Sequence, residues 1–166
     1  MKVRLLILDV DGVLTDGRIV MDERGVESKF FDVRDGHGLK LLMRADIQVV
    51  FLSGRHSEAT RHQASELGIS KVYQDIHNKM DVYQQILEEE GLGDDDVGYV
   101  GDDVVDLPVL KRAGFAAVVA DSVDDIKPFA DYISEKPGGR GAVREVVEFI
   151  LKSQGKWEEI TARYHR

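Results

Sequence analysis

Short, nearly continuous aliphatic runs, separated by stretches of helical periodicity, constrain this chain more than any other feature. Val3 to Leu8 is broken only by Arg4, which reads as a strand buried on both faces. Similar runs recur at Ile47–Leu52, Val97–Val100 and Phe115–Val119, with a weaker one at Lys71–Tyr73. Between them Gly38–Ala45, Ser57–Leu67, Lys79–Glu90, Val104–Ala113 and Ala142–Lys152 space apolar residues three and four apart. Gly68, Gly91 and Gly114 stand where left-handed residues close helices. This alternation predicts an α/β fold, a Rossmann-like parallel sheet with helices on both faces. One segment departs from it: Arg18–Met21 and Val26–Val33 flank Asp22-Glu23-Arg24-Gly25, which predicts a β-hairpin after the first strand.

At 166 residues a single domain, 1–166, is expected, with the hairpin inside 16–33 and a Gly-rich segment, helix and tail over 138–166. There is no room for a cap domain. Gly17 to Ile47 holds a hairpin and a helix, and Arg55 to Lys79 holds one helix and one short strand. A formal charge of -9 argues against nucleic acid or an anionic membrane as the main partner, since both need a basic face. A small anion remains possible where cations gather. The absence of cysteine excludes disulfides and thiolate metal sites. The first apolar run is too short for a signal peptide or membrane span, so a cytoplasmic chain is expected. Asp94-Asp95-Asp96 reads as a solvated loop.

In open parallel sheets, ligands bind beyond the carboxyl ends of the strands. The polar residues expected there are Asp9 and Asp11 after the first run, Ser53-Gly54-Arg55 after the second, Lys79 at a helix start, and Gly101-Asp102-Asp103 with Asp106 after the fourth. Singly, each reads more readily as a turn, a cap or a solvated side chain. Together they suit phosphoryl transfer to a carboxylate. A carboxylate approaching a phosphate dianion meets like-charge repulsion, so cations have to neutralise the site. Clustered carboxylates can hold Mg²⁺ through hard oxygen ligands, Lys79 adds a second positive charge, and Ser53 can donate to phosphate oxygens. Asp9, at the end of a rigid strand, can form an aspartyl-phosphate. Asp11, two residues on, can protonate the leaving oxygen and then activate water.

Asp9-Val10-Asp11-Gly12-Val13-Leu14-Thr15, Leu52-Ser53-Gly54-Arg55, Lys79 and Gly101-Asp102-Asp103-Val104-Val105-Asp106 resemble the four motifs of the haloacid dehalogenase superfamily. That resemblance implies Asp9 as nucleophile and Asp11 as general acid/base. It implies Mg²⁺ held by Asp9, the Asp11 carbonyl and Asp102, phosphate bound by Ser53 and Lys79, and Asp103 and Asp106 in supporting places. Within the superfamily the chain is similar to the 3-deoxy-D-manno-octulosonate (KDO) 8-phosphate phosphatases of lipopolysaccharide precursor synthesis. The similarity runs through Phe31-Asp32-Val33-Arg34-Asp35-Gly36-His37-Gly38, Tyr73-Gln74 and Gly138-Gly139-Arg140-Gly141-Ala142-Val143-Arg144-Glu145-Val146. It implies a homotetramer whose hairpin builds the subunit interface, with substrate between neighbours. Substrate contacts would come from Asp32, Val33, Arg34, Asp35, Gly36, Lys40 and Arg55. Ser53 stands where threonine is frequent, and both supply a hydroxyl.

Without a cap, water has to be excluded by a large substrate or by another subunit. The hairpin with Phe30 and Phe31 is expected either to pack against a neighbour or to fold back on its own sheet. Arg55, Arg34 and Lys40 in an acidic chain fit a substrate bearing a carboxylate as well as a phosphate, such as a phosphorylated sugar acid. Gly138–Gly141 reads as a flexible loop or as a gate over a neighbour's site. Trp157 and Tyr164 read as an exposed or partner-bound tail. A signalling receiver domain needs its acceptor Asp at the end of a central strand, where Ile47–Leu52 and Lys71–Tyr73 have none. A non-catalytic regulatory module and a phosphatase for a nine-carbon sugar acid remain alternatives. Dinucleotide binding is rejected because no Gly-x-Gly-x-x-Gly follows the first strand.

Overall fold

The computed structural model describes Met1–Arg166. In chain order its elements are β1 (Leu5–Leu8), the hairpin strands β2 (Val20–Met21) and β3 (Glu27–Ser28), α1 (Val33–Arg44), β4 (Gln48–Leu52) and α2 (Glu58–Leu67). There follow β5 (Lys71–Tyr73), α3 (Lys79–Glu90), β6 (Val97–Gly101), α4 (Leu107–Leu110), β7 (Phe115–Val118), β8 (Tyr132–Ile133), α5 (Ala142–Ser153) and α6 (Trp157–Thr161). Six strands form one parallel sheet in the order β5-β4-β1-β6-β7-β8, and β2 pairs with β3 in a separate antiparallel ribbon.

Side-chain alternation along β1 divides the core between the two faces of the sheet. Leu6 and Leu8 join Phe51, Val100, Leu39, Leu42, Val147 and Ile150 under α1 and α5. Leu5 and Ile7 join Val50, Leu52, Tyr83, Ile86, Val109 and Leu110 under α3 and α4. Both faces of β1 are therefore dry, as its unbroken aliphatic sequence requires. Each fully buried Leu or Ile contributes about 1.5–3 kcal/mol. That burial fixes β1 firmly, and with it the residue that follows. No helix is long and apolar enough to cross a membrane.

Several expected boundaries shift, each for a local reason. Helix α1 begins at Val33, five residues before the expected Gly38, because Asp32 caps it by accepting from Arg34 N (2.8 Å) and Asp35 N (3.1 Å). The second hairpin run accordingly ends at Ser28 rather than Val33. Val104–Ala113 is not one helix but a tight turn over Val104–Asp106 followed by α4, with Pro108 in its first turn. Gly68 and Gly91 do adopt left-handed cap conformations, whereas Gly114 does not and instead packs against the Asp95 backbone.

The carboxyl-terminal third also departs from expectation. Gly139 N donates to Val13 O (3.0 Å) and Gly138 N to Asp121 Oδ1 (2.9 Å). A Cβ on Gly138 would lie 1.8 Å from the Gly12 carbonyl oxygen. The Gly-rich segment is thus not a loose loop within its own chain; it buttresses the loop that follows β1. The tail departs only in part: Trp157 docks on its own chain, whereas residues 162–166 are exposed, one of the two arrangements expected. Tyr164 Oη accepts from Arg44 Nη1 (2.6 Å), and Trp157 packs on the core beside Lys152 and Arg144.

Candidate active site

The carboxyl edge of the sheet gathers charge around the end of β1. Asp9 N donates to Val100 O (3.1 Å), so the chain keeps register with β6 for one residue past the strand before turning. Gly12 makes that turn possible. Its φ is +87°, and a Cβ there would sit 1.9 Å from Asp102 Oδ2, so only glycine lets Asp102 come this near. Thr15 Oγ1 closes the loop by accepting from Gly12 N and Gly17 N, both at 3.2 Å.

Lys79 is the first residue of α3, placed there by the Asn78 cap. Its side chain is only 5% exposed, with Nζ 2.7 Å from Asp106 Oδ1, 3.1 Å from Asp9 Oδ1 and 3.3 Å from Tyr99 Oη. A buried lysine is tolerated only when paired, and here two carboxylates pair it. Asp106 has no solvent contact and also accepts from Tyr99 Oη (2.5 Å), Asp102 N (2.9 Å) and Asp103 N (3.3 Å). Asp106 therefore orients Lys79 and holds the Asp102–Asp103 turn at once. Ser53 follows β4, and its Oγ accepts from Arg55 N (3.2 Å).

One oxygen each of Asp9, Asp102 and Asp106 lies within 4.8 Å of the others. Burial, then the Asp106 charge, pushes Asp9 up to about 6, against the pull of Lys79. Burial, then the charges of Asp9 and Asp106, pushes Asp102 up to about 9. Burial disfavours the Lys79 charge, yet Asp9 and Asp106 outweigh it and hold that ammonium above its ordinary value. Were all three carboxyls ionised, the Lys79 ammonium would leave two negative charges unbalanced, which is why the site holds a proton when no cation is bound. The excess negative charge on oxygen donors fits a hard divalent cation such as Mg²⁺, with Asp9 and Asp102 facing the cleft and Asp106 already saturated by donors.

A cavity of about 500 Å³ opens over this cluster. Of the residues expected at the site, Asp9, Asp11, Ser53, Gly54, Arg55, Lys79, Asp102 and Asp103 line it, and Asp106 is buried behind Lys79. Asp32, Val33, Arg34, Asp35, Gly36 and Lys40 do not. Asp32 borders a separate hollow with Asp16, Arg18, Phe30 and Arg140, while Val33, Gly36 and Lys40 border another between α1 and α2. Arg34 is exposed. Asp35 is buried and accepts from Arg144 N (2.9 Å), so it serves the start of α5; burial pushes it up to about 6. Within one chain the segment is cap and first turn of a helix, not a wall of this cavity.

Four residues escaped the sequence reading. Lys29 reaches from the hairpin to Asp11, Glu27 joins Lys29 to Arg55, Tyr99 braces Asp106, and His77 lines the cavity. Alternation was the available signal for two of them: Glu27 and Lys29 are two apart on an extended strand and share a side.

The family profile of haloacid dehalogenase-like hydrolases matches residues 65–146. The KDO 8-phosphate phosphatase of Escherichia coli K12 is 44% identical over 158 residues, which span 95% of this chain and 84% of that enzyme. The chain belongs to the haloacid dehalogenase-like hydrolases. Solved structures of the family agree. The KDO 8-phosphate phosphatase of Yersinia pestis superposes with a TM-score of 0.92 at 42% identity, covering 94% of this chain and 84% of that one. The enzyme of Moraxella catarrhalis, solved with a magnesium ion, a phosphate ion and KDO, superposes with a TM-score of 0.95 at 37% identity, covering 98% and 93%. As a member of this hydrolase family the chain is an enzyme, and its named relatives are phosphatases.

Proposed function

We propose that this chain is a Mg²⁺-dependent phosphomonoesterase, a single domain over 1–166, that hydrolyses KDO 8-phosphate to the sugar acid and phosphate in lipopolysaccharide precursor synthesis. The observation that carries the chemistry is Asp9, fixed at the end of the central strand, with Lys79 Nζ 3.1 Å away and Asp102 in the same cluster. The names and ligands of the relatives support the substrate.

An Asp9 carboxylate oxygen attacks phosphorus, and the P–O bond to the sugar breaks as Asp11 delivers a proton to the departing oxygen. Water then attacks the aspartyl-phosphate, Asp11 takes its proton, and P–O cleavage releases phosphate and restores Asp9. Lys79 and Ser53 hold the phosphoryl oxygens throughout. Asp106 keeps Lys79 aimed, and Asp103 caps the turn that presents Asp102. Mg²⁺ would be held by Asp9, the Asp11 carbonyl and Asp102, where it neutralises the phosphoryl charge that otherwise repels the nucleophile.

The leaving-group end calls for cations and a roof. Arg55 lines the cavity, and Arg34, Lys40 and Asp32–Gly36 lie outside it, a placement that favours their acting on the site of a neighbouring subunit in a homotetramer. Val20, Val26 and Phe30, on the side of the ribbon opposite Glu27 and Lys29, leave the hairpin with an exposed apolar side (Phe30 67% exposed), which supports the same assembly. The test is phosphate release with and without Mg²⁺ over sugar phosphates, eight-carbon and nine-carbon sugar-acid phosphates and 4-nitrophenyl phosphate, beside light scattering. KDO 8-phosphate should lead the panel. A preference for the nine-carbon acid would reassign the substrate, and full turnover by Asp9→Asn would end the mechanism.

A further inference from the structure

Lys29 takes no part in the steps above, yet its side chain is 3% exposed at the edge of the site. It follows β3 directly, and extended-chain alternation turns Glu27 and Lys29 inward while Phe30 faces out. Lys29 Nζ lies 2.5 Å from Asp11 Oδ1 and 3.6 Å from Glu27 Oε2, and Glu27 Oε1 accepts from Arg55. Charges thus alternate along Arg55, Glu27, Lys29 and Asp11, which lets the lysine be buried.

Asp11 needs such a partner more than its neighbours do. Asp9 is held by Val10 N and Lys79, and Asp106 by four donors. Asp11 lies in the turn after β1, and Lys29 is the one group that donates to its carboxylate. Oδ1 is engaged, which leaves Oδ2 for the substrate side. We infer that Lys29 is a positioning residue: its ammonium, brought in by the hairpin and steadied by Glu27, fixes the Asp11 carboxyl in the orientation from which a proton reaches the leaving oxygen. The inference rests on the roles assigned above to Asp9 and Asp11.

The test exploits leaving groups. Departure of the alcohol is the first irreversible step, so kcat/KM reports proton delivery to it. A sugar phosphate needs that proton, whereas 4-nitrophenolate leaves without it. A misplacement of about 1 Å is worth roughly a hundredfold. Lys29→Met should therefore lower kcat/KM about a hundredfold on a sugar phosphate and less than about fivefold on 4-nitrophenyl phosphate, with Lys29→Arg recovering part of the difference. In an Asp11→Asn background Lys29→Met should add no further selective loss. Equal losses on both substrates, or independent losses in the double variant, would overturn the positioning role. This holds even if Lys29→Met loosens the hairpin, because loosening alone does not discriminate leaving groups. An Asp11→Asn variant that shows no such selectivity would instead overturn the reading of Asp11.

Discussion

Cation affinity at this site should follow pH in a way set by the Asp9–Asp102 pair. In the metal-free chain Asp9 is pushed up to about 6 and Asp102 to about 9, both chiefly by burial and then by neighbouring carboxylates. At pH 7 the pair still carries a proton, which a cation held by both residues would have to displace. Each pH unit of that competition is worth about 1.36 kcal/mol, so going from 9 down to 7 should weaken Mg²⁺ binding by ~2.7 kcal/mol, roughly a hundredfold. Titration calorimetry of metal-free protein with magnesium chloride should show affinity rising about tenfold per unit over this range. Buffers of different ionisation heat should register nearly one proton released per ion at pH 7.5. The effect on folding has a definite sign. Both carboxyls have pKa values raised above the 3.8 of the unfolded chain, so the native state holds protons that the unfolded state has lost. Stability of the metal-free protein therefore falls as pH rises from roughly 4 to 9, and Mg²⁺ should raise the melting temperature most at the alkaline end. An affinity flat between pH 7 and 9, with no proton released, would refute the claim that these two carboxyls bind the ion together.

Lys79→Met leaves fully buried Asp106 without its counter-charge; a loss of about 3–5 kcal/mol and a melting temperature lower by roughly 6–20 °C are expected by calorimetry, and an unshifted transition would contradict the pairing. Gly139→Ala places a Cβ 2.3 Å from the Thr15 carbonyl carbon at φ +71°, so a cost of ~2 kcal/mol or more is expected, together with lower turnover as the Asp9–Thr15 loop is pushed; intact melting and activity would deny the buttress. Arg55→Ala removes a charge-assisted bond worth ~1.5–3 kcal/mol, so KM for a sugar-acid phosphate should rise at least about tenfold while that for 4-nitrophenyl phosphate changes little. Equal changes on the two substrates would discard the carboxylate anchor.

Strand periodicity made the sheet legible because its central strands are dry on both faces, and unbroken aliphatic sequence has few other uses. The residues at the strand ends were legible for the same reason. Once β1, β4 and β6 are placed, Asp9, Ser53 and Asp102 have nowhere to go but one edge. Long-range capping was not legible. Asp35 is expected among the substrate contacts, but its carboxylate is consumed 109 residues away at Arg144 N. The strand β8 and helix α6 are two and five residues long, too short to carry a period. Tyr164 reads as exposed or partner-bound, and it is half exposed; its hydrogen bonds with Arg44 and His37 come only with the tertiary fold. The Gly-rich segment misled for a physical reason too: glycine permits flexibility, but it equally permits close approach, and contact with Gly12 and Thr15 requires the second.

The hairpin shows how tertiary electrostatics can invert a local pattern. A ribbon with two pairs of residues in its ladder has little stability of its own and would ordinarily press its apolar side onto the sheet. Here the side facing the sheet edge is Glu27 and Lys29, and the apolar side is left outward. The excess of carboxylates at the end of β1 accounts for the inversion: Asp11 offers a buried lysine a counter-charge that no apolar surface could provide, and Arg55 offers Glu27 another. Docking of the ribbon is therefore tied to the charge of the site. That arrangement answers the absence of a cap, since the element beside the cavity is held by Asp11, the acid proposed to move the proton, while its apolar back remains free to meet another surface.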